Sequence, residues 1–154
     1  WVDVGSSFLP SEIQAAFLLA QLEKVQFITD KRKLLWERYF DRLKHIEKKG
    51  NFKLPKIPKF CQQNYHLFYM VFDSANKRNS CMKKLNNQNI KAIFHYIPLH
   101  NSIGGLKYGR ASGDLKNTIM ISENIMRLPL HPNLSLPDVD QICDQIELSL
   151  KNEH

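Results

Sequence analysis

The 154-residue sequence contains no apolar run approaching the ~20 residues that a membrane span requires, and its start lacks the basic-then-apolar-then-small pattern of a signal peptide. A membrane protein and a secreted one are both set aside, and a cytoplasmic setting is expected. Cysteine is scarce: Cys61, Cys81 and Cys143 are odd in number and far apart, which fits neither a disulfide framework nor a CxxC zinc pattern. They read as core or half-buried thiols. GxSxG, the P-loop and GxGxxG are all absent, and no carboxylates are spaced as an acid and base couple. Internal repeats are missing too. What remains, 43% hydrophobic and 24% charged, is the profile of one ordinary globular domain with a real core.

The net charge of +7 invites a nucleic-acid reading, but its distribution argues otherwise. Lysine and arginine are spread along a long first helix with acids interleaved, then over Lys53, Lys56 and Lys59 and the Lys83-Lys84 pair. That is the pattern of a solvated helix face, and no helix-turn-helix, RNP or zinc-finger signature accompanies it. The positive balance suits an anionic substrate or a more acidic neighbouring domain.

Ser11-x-x-Gln14 is a capping-box pattern, with Pro10 keeping the incoming segment out of the helix. Apolar residues from Ile13 to Ile46 then recur at three-, four- and seven-residue steps up to Lys48-Lys49-Gly50. The spacing predicts one long helix, or two sharing an axis with a kink near Leu22 to Val25. At ~1.5 Å per residue it would span about 50 Å, more suited to linking two domains than to lying inside one.

Residues 51–64, with Pro55, Pro58 and three lysines, read as an extended linker. Residues 65–72 are apolar or aromatic on both alternating faces, which predicts a central strand covered on both sides. Helix is expected at 76–87, a second strand at 90–97, a Gly-containing functional loop at 98–117, a short helix at 118–125 and a third strand at 126–130. A last helix begins after a Ser135 cap, with Pro137 in its first turn. The fold class is α+β: a long N-terminal helix in residues 1–50, followed in 51–154 by a small antiparallel sheet backed by helices.

Two places concentrate binding chemistry. Gly5-Ser6-Ser7 feeds a helix start, so its amides and hydroxyls can meet an anion, though a plain helix-entry turn explains them equally well. With Trp1 rather than an initiator Met at its start, the sequence is expected to continue upstream, where this turn's partner would lie. His95-Tyr96-x-Pro98-Leu99-His100 stands where the second strand runs into the Gly-rich loop. His100 is the stronger ligand candidate, His95 also fits a satisfied strand-edge histidine, and Tyr108 can close over the same cleft. No Cys or carboxylate nearby completes a metal shell. His66 reads as core or sheet surface, His131 as a turn residue, and His45 and His154 as solvated.

The run Gly5-Ser-Ser-Phe-Leu-Pro-Ser-Glu-Ile-Gln-Ala-Ala with Gln21-Leu22, then Arg32, Tyr39 and Leu43, His95-Tyr96-x-Pro98-Leu99-His100 and Leu128-Pro129-Leu130-His131-Pro132 resembles the C-terminal portion of the PLP-dependent nucleotide-sugar aminotransferases (DegT/StrS-type, fold type I). The likeness covers essentially the whole chain, and the Gly5 to Glu12 variant looks most like the dTDP-4-oxo-6-deoxyglucose 4-aminotransferase type (WecE-like) of surface-polysaccharide biosynthesis. It implies a cytoplasmic homodimer in which a large upstream domain holds pyridoxal phosphate (PLP) on a lysine. It also implies amino transfer, from glutamate, to a 4-oxo-6-deoxy sugar nucleotide.

Ser7 occupies the position where many members carry an Asn that reaches the PLP phosphate of the neighbouring subunit. Leu9 stands where many have a basic residue, a departure from the pattern. His95, His100 and Tyr108 are implied at the sugar-nucleotide side. The Schiff-base lysine, the acid on the pyridine nitrogen and the ring-stacking aromatic are all implied upstream of Trp1, so this polypeptide alone is expected to be inactive. The rival from another class is a free-standing α+β module that binds an anion or a partner through its basic helix without catalysis; a third reading is a PLP-free homologue acting as a dehydratase or regulator.

Overall fold

The computed structural model describes residues 8–47 and 52–151. Ser11 caps helix α1, Glu12–Leu22, with both halves of the capping box formed: the Gln14 N–H donates to Ser11 Oγ at 3.3 Å and the Ser11 N–H to Gln14 Oε1 at 2.9 Å. A turn at Glu23 and Lys24 separates α1 from α2, Val25–Glu47, so the long helix is two. None of the residues of α1 is buried. The core begins only at Leu35, Trp36, Tyr39 and Leu43 of α2. The stop at Lys48-Lys49-Gly50 and the 50/51 division lie outside the described residues.

Four antiparallel strands follow, in the order β1-β2-β4-β3: β1, Phe52–Lys53; β2, Phe68–Phe72; β3, Ile93–Phe94; and β4, Ile125–Leu128. Helix α3, Ala75–Asn87, is capped by Ser74, and α6, Leu136–Lys151, begins where the Asp138 N–H donates to Ser135 Oγ at 3.3 Å. Strand alternation aims Phe68, Met70 and Phe72 of β2, with Met126 and Leu128 of β4, to one face, where α2, α3 and α6 bury them. Phe68 anchors this layer, with ring centroids 5.2 Å from Trp36 and 5.0 Å from Tyr39. The α+β architecture is therefore the expected one, a small antiparallel sheet backed by helices.

Several local expectations are corrected. Residues 52–53 of the expected linker pair with β2, because Phe52 is buried opposite Phe72 and both prolines fall after the strand. Strand β2 starts at Phe68, since Tyr65 takes a left-handed φ of 52° that interrupts extension. Its second face is only partly covered: Tyr69 and Val71 are half-buried there. The strand expected at 90–97 shrinks to Ile93–Phe94. Within the expected loop a 3-10 turn, Leu99–Asn101, and helix α4, Ile103–Tyr108, form; α5, Lys116–Asn124, follows.

Cys81 and Cys143 are buried as expected, and burial pushes the Cys143 thiol up to about 12, so it stays neutral. Cys61 is exposed, held in a turn by its N–H to the Pro58 carbonyl. Part of the basic helix face is not simply solvated either. Arg38 donates from Nε and Nη2 to both oxygens of Asp140 at 2.8 Å, and Arg42 bridges Asp140 and Asp144, clamping α2 to α6. These guanidinium groups hold the Asp140 carboxyl below the usual carboxylate range.

Candidate functional site

Beyond β3 the chain passes through His95 and Tyr96 to Pro98, and the 3-10 turn folds it back. Ser102 joins the turn to α4: its hydroxyl donates to the Leu99 carbonyl at 2.8 Å and accepts from the Gly105 N–H at 2.9 Å. A Cβ at Gly105 would stand 1.6 Å from the Leu99 carbonyl oxygen, so only glycine permits this close return. At Gly104 the same atom would meet nothing within 4 Å.

This fold-back brings His100 and Tyr108 into one cleft of about 690 Å³, walled also by Leu99, Gly105, Arg110 and Leu115. His100 Nε2 is enclosed there without a hydrogen-bond partner. Lys107 Nζ lies 4.9 Å from the centroid of the exposed Tyr108 ring, a cation–π contact. The lining holds neither lysine nor carboxylate. Its wall combines apolar side chains with an imidazole, a phenol and the Arg110 guanidinium, and it offers no acid and base couple.

His95 is not part of that lining. It follows β3 onto the second face of the sheet, its ring 5.0 Å from and edge-on to Tyr96, with Nδ1 enclosed and unpartnered. Burial, then the charges of Arg127 and His66, hold its imidazole below the ordinary histidine value. The residues singled out by sequence thus divide into a cleft pair and a sheet-face histidine. Ser7 lies outside the described residues.

Among the other histidines, His131 accepts the Leu134 N–H on its carbonyl, a turn residue as expected, and His45 is exposed. His66 is neither core nor strand; it is exposed ahead of β2, with Nδ1 2.7 Å from Asn64 Oδ1. Arg127 was missed by the sequence reading. A lone arginine inside the apolar strand Ile125–Leu128 was the available signal. No three His, Cys, Asp or Glu converge as metal ligands among the described residues, and no described helix is long and apolar enough to cross a membrane.

With this geometry in hand, comparison with known proteins is informative. The pattern of the DegT/DnrJ/EryC1/StrS aminotransferase family matches residues 2–147. The chain is 26% identical, over 88% of its length, to 36% of the dTDP-3-amino-3,4,6-trideoxy-alpha-D-glucose transaminase of Micromonospora megalomicea. It is likewise 26% identical, over 99% of its length, to 41% of the UDP-4-amino-4-deoxy-L-arabinose–oxoglutarate aminotransferase of Shewanella sediminis. The crystal structure of the aminotransferase TlmJ from Streptoalloteichus hindustanus superposes with a TM-score of 0.82 at 23% identity, over 97% of this chain and 39% of that one. The chain therefore spans about two fifths of the length of these relatives.

Proposed function

Since the chain belongs to the DegT/DnrJ/EryC1/StrS aminotransferase family, we propose that it is the C-terminal part of a cytoplasmic PLP-dependent sugar-nucleotide aminotransferase. The enzyme moves an amino group from glutamate to a 4-oxo-6-deoxy sugar nucleotide for surface-polysaccharide synthesis. One curated relative is named for a dTDP-sugar and another for a UDP-sugar. The Gly5-Ser6-Ser7-Phe8-Leu9-Pro10-Ser11-Glu12 motif inclines our reading to dTDP and the WecE-like type.

The observation that carries this reading is the cleft shared by His100 and Tyr108, a largely apolar recess with an imidazole, a phenol and the Arg110 guanidinium at its wall. In our reading its walls take the sugar ring and its nucleotide, the imidazole and phenol meet hydroxyl groups, and α4 keeps water from that side. His95 lines the same substrate from the sheet. The cofactor supplies an electron sink for the amino transfer. The cleft does not fit it: without a lysine or a carboxylate it offers neither an anchor nor a partner for the ring nitrogen. The catalytic half is accordingly assigned to the preceding part of the protein, with residues 1–50 joining it to the α+β body in 51–154. Ser7 meets the cofactor phosphate across a homodimer.

The test is direct. Full-length protein mixed with PLP should develop the visible band of the lysine-bound cofactor, lose it on adding glutamate, and aminate dTDP-4-oxo-6-deoxyglucose. His100→Ala should raise KM for the sugar nucleotide about tenfold, the size of one lost hydrogen bond. A protein that carries the upstream lysine yet shows no band would sink the proposal.

A further inference from the structure

The second face of the sheet gathers one arginine and two histidines. Arg127 stands in mid-sheet, paired across β4 with Tyr69 of β2 on one side and Ile93 of β3 on the other. His95 comes two residues after Ile93, which by strand alternation returns it to the face of Arg127. His66 approaches from the segment ahead of β2, near enough for its charge, like that of Arg127, to bear on His95. Its Nδ1 is engaged by Asn64, which leaves Nε2 for another partner.

Among the described residues this group makes no ion pair with a carboxylate. Arg38 and Arg42 are matched to acids on α6, Lys77 to Asp73 and Lys116 to Asp114, but Arg127 makes no ion pair among the described residues. Two nitrogens are enclosed without a partner, the Arg127 Nε–H donor and His95 Nδ1, which donates when the neutral ring carries its proton there. Enclosing a donor in that way is costly, and an oxyanion reaching Arg127 Nε, with His95 in that tautomer, would relieve both. A metal ion is disfavoured by the arginine, whose fixed charge repels it.

We infer that Arg127, His95 and His66 form an oxyanion seat on the open face of the sheet. Resting on the aminotransferase reading for its ligands, the seat takes the anionic end of one of two substrates: the diphosphate of the sugar nucleotide or a carboxylate of the amino donor. Guanidinium and imidazole donors suit either group. The cleft by His100 then holds another part of the same substrate.

Calorimetric titration of the full-length protein with pyrophosphate and with glutarate separates the two sources. In Arg127→Met one probe should bind at least tenfold more weakly than in wild type, and Arg127→Lys should recover part of the loss. Loss confined to pyrophosphate assigns the seat to the nucleotide; loss confined to glutarate assigns it to the donor. Should Arg127→Met not fold, His95→Gln and His66→Gln carry the same comparison. Wild-type protein that binds neither probe, or variants that bind both as wild type does, would overturn the inference. Cofactor binding and amino transfer are read separately by absorbance, so failure of the seat leaves the assigned reaction standing.

Discussion

At the scale of single residues, Tyr39 ties α2 to the segment that leaves β4. Its side chain is fully buried on α2, and its hydroxyl donates to the Pro129 carbonyl at 2.9 Å, just past the end of β4. Burial drives the phenol far above its ordinary pKa, so it remains a neutral donor throughout the working pH range. Tyr39→Phe keeps the packing against Phe68 but strands the Pro129 carbonyl, and should cost about 1–2 kcal/mol in urea unfolding. Measured stability equal to wild type would show that water takes over that carbonyl. Such a bond was not legible in the sequence, because it joins positions 90 residues apart. Arg127 and His66 escaped for the same reason: their chemistry depends on cross-strand neighbours, whereas His100 and Tyr108 stood in one short motif.

Among elements, α4 shows what periodicity can and cannot reveal. Ser11-x-x-Gln14 and Ser135 announced their helices because a cap is a local interaction. Gly104-Gly105 announced a loop, since glycine disfavours helix interiors, yet α4 runs through both. The reason is tertiary in kind: Gly105 exchanges its Cβ for the approach of the Leu99 carbonyl. Paired substitutions separate the two glycines. Gly104→Ala should stabilise by about 0.5–1 kcal/mol, because the new methyl enters open space in a helical position. Gly105→Ala must drive α4 away from the 3-10 turn, opening the His100 and Tyr108 cleft. In the full-length enzyme it should raise KM for the sugar nucleotide more than Gly104→Ala, whose methyl also enters the cleft wall but leaves α4 in place. Equal behaviour of the two variants would mean that α4 does not shape the cleft.

For the molecule as a whole, what α1 lacks matters as much as what the core contains. Its apolar residues run on by helical steps toward those of α2, and a helix of that length was expected to link two domains, not to lie inside one. In the structure Ile13 is 83% exposed and Phe17 69%, with Leu18, Leu19, Leu22, Val25 and Phe27 also open. An apolar strip of this length does not stay in water without consequence. Nothing in the pattern itself distinguishes a helix covered by its own domain from one covered by another part of the protein, so the partner was illegible while the stripe was not. If the preceding domain and a second subunit cover α1 in the intact enzyme, the 154-residue chain alone should self-associate or precipitate as its concentration rises. Glu or Lys at Phe17 and Leu18 should restore solubility without lowering the stability of the core, which begins at Leu35. The same two changes in the full-length protein should weaken the proposed dimer. Size exclusion with light scattering reads both outcomes, and a monodisperse monomer of the unaltered chain at high concentration would remove the case for α1 as a buried interdomain helix.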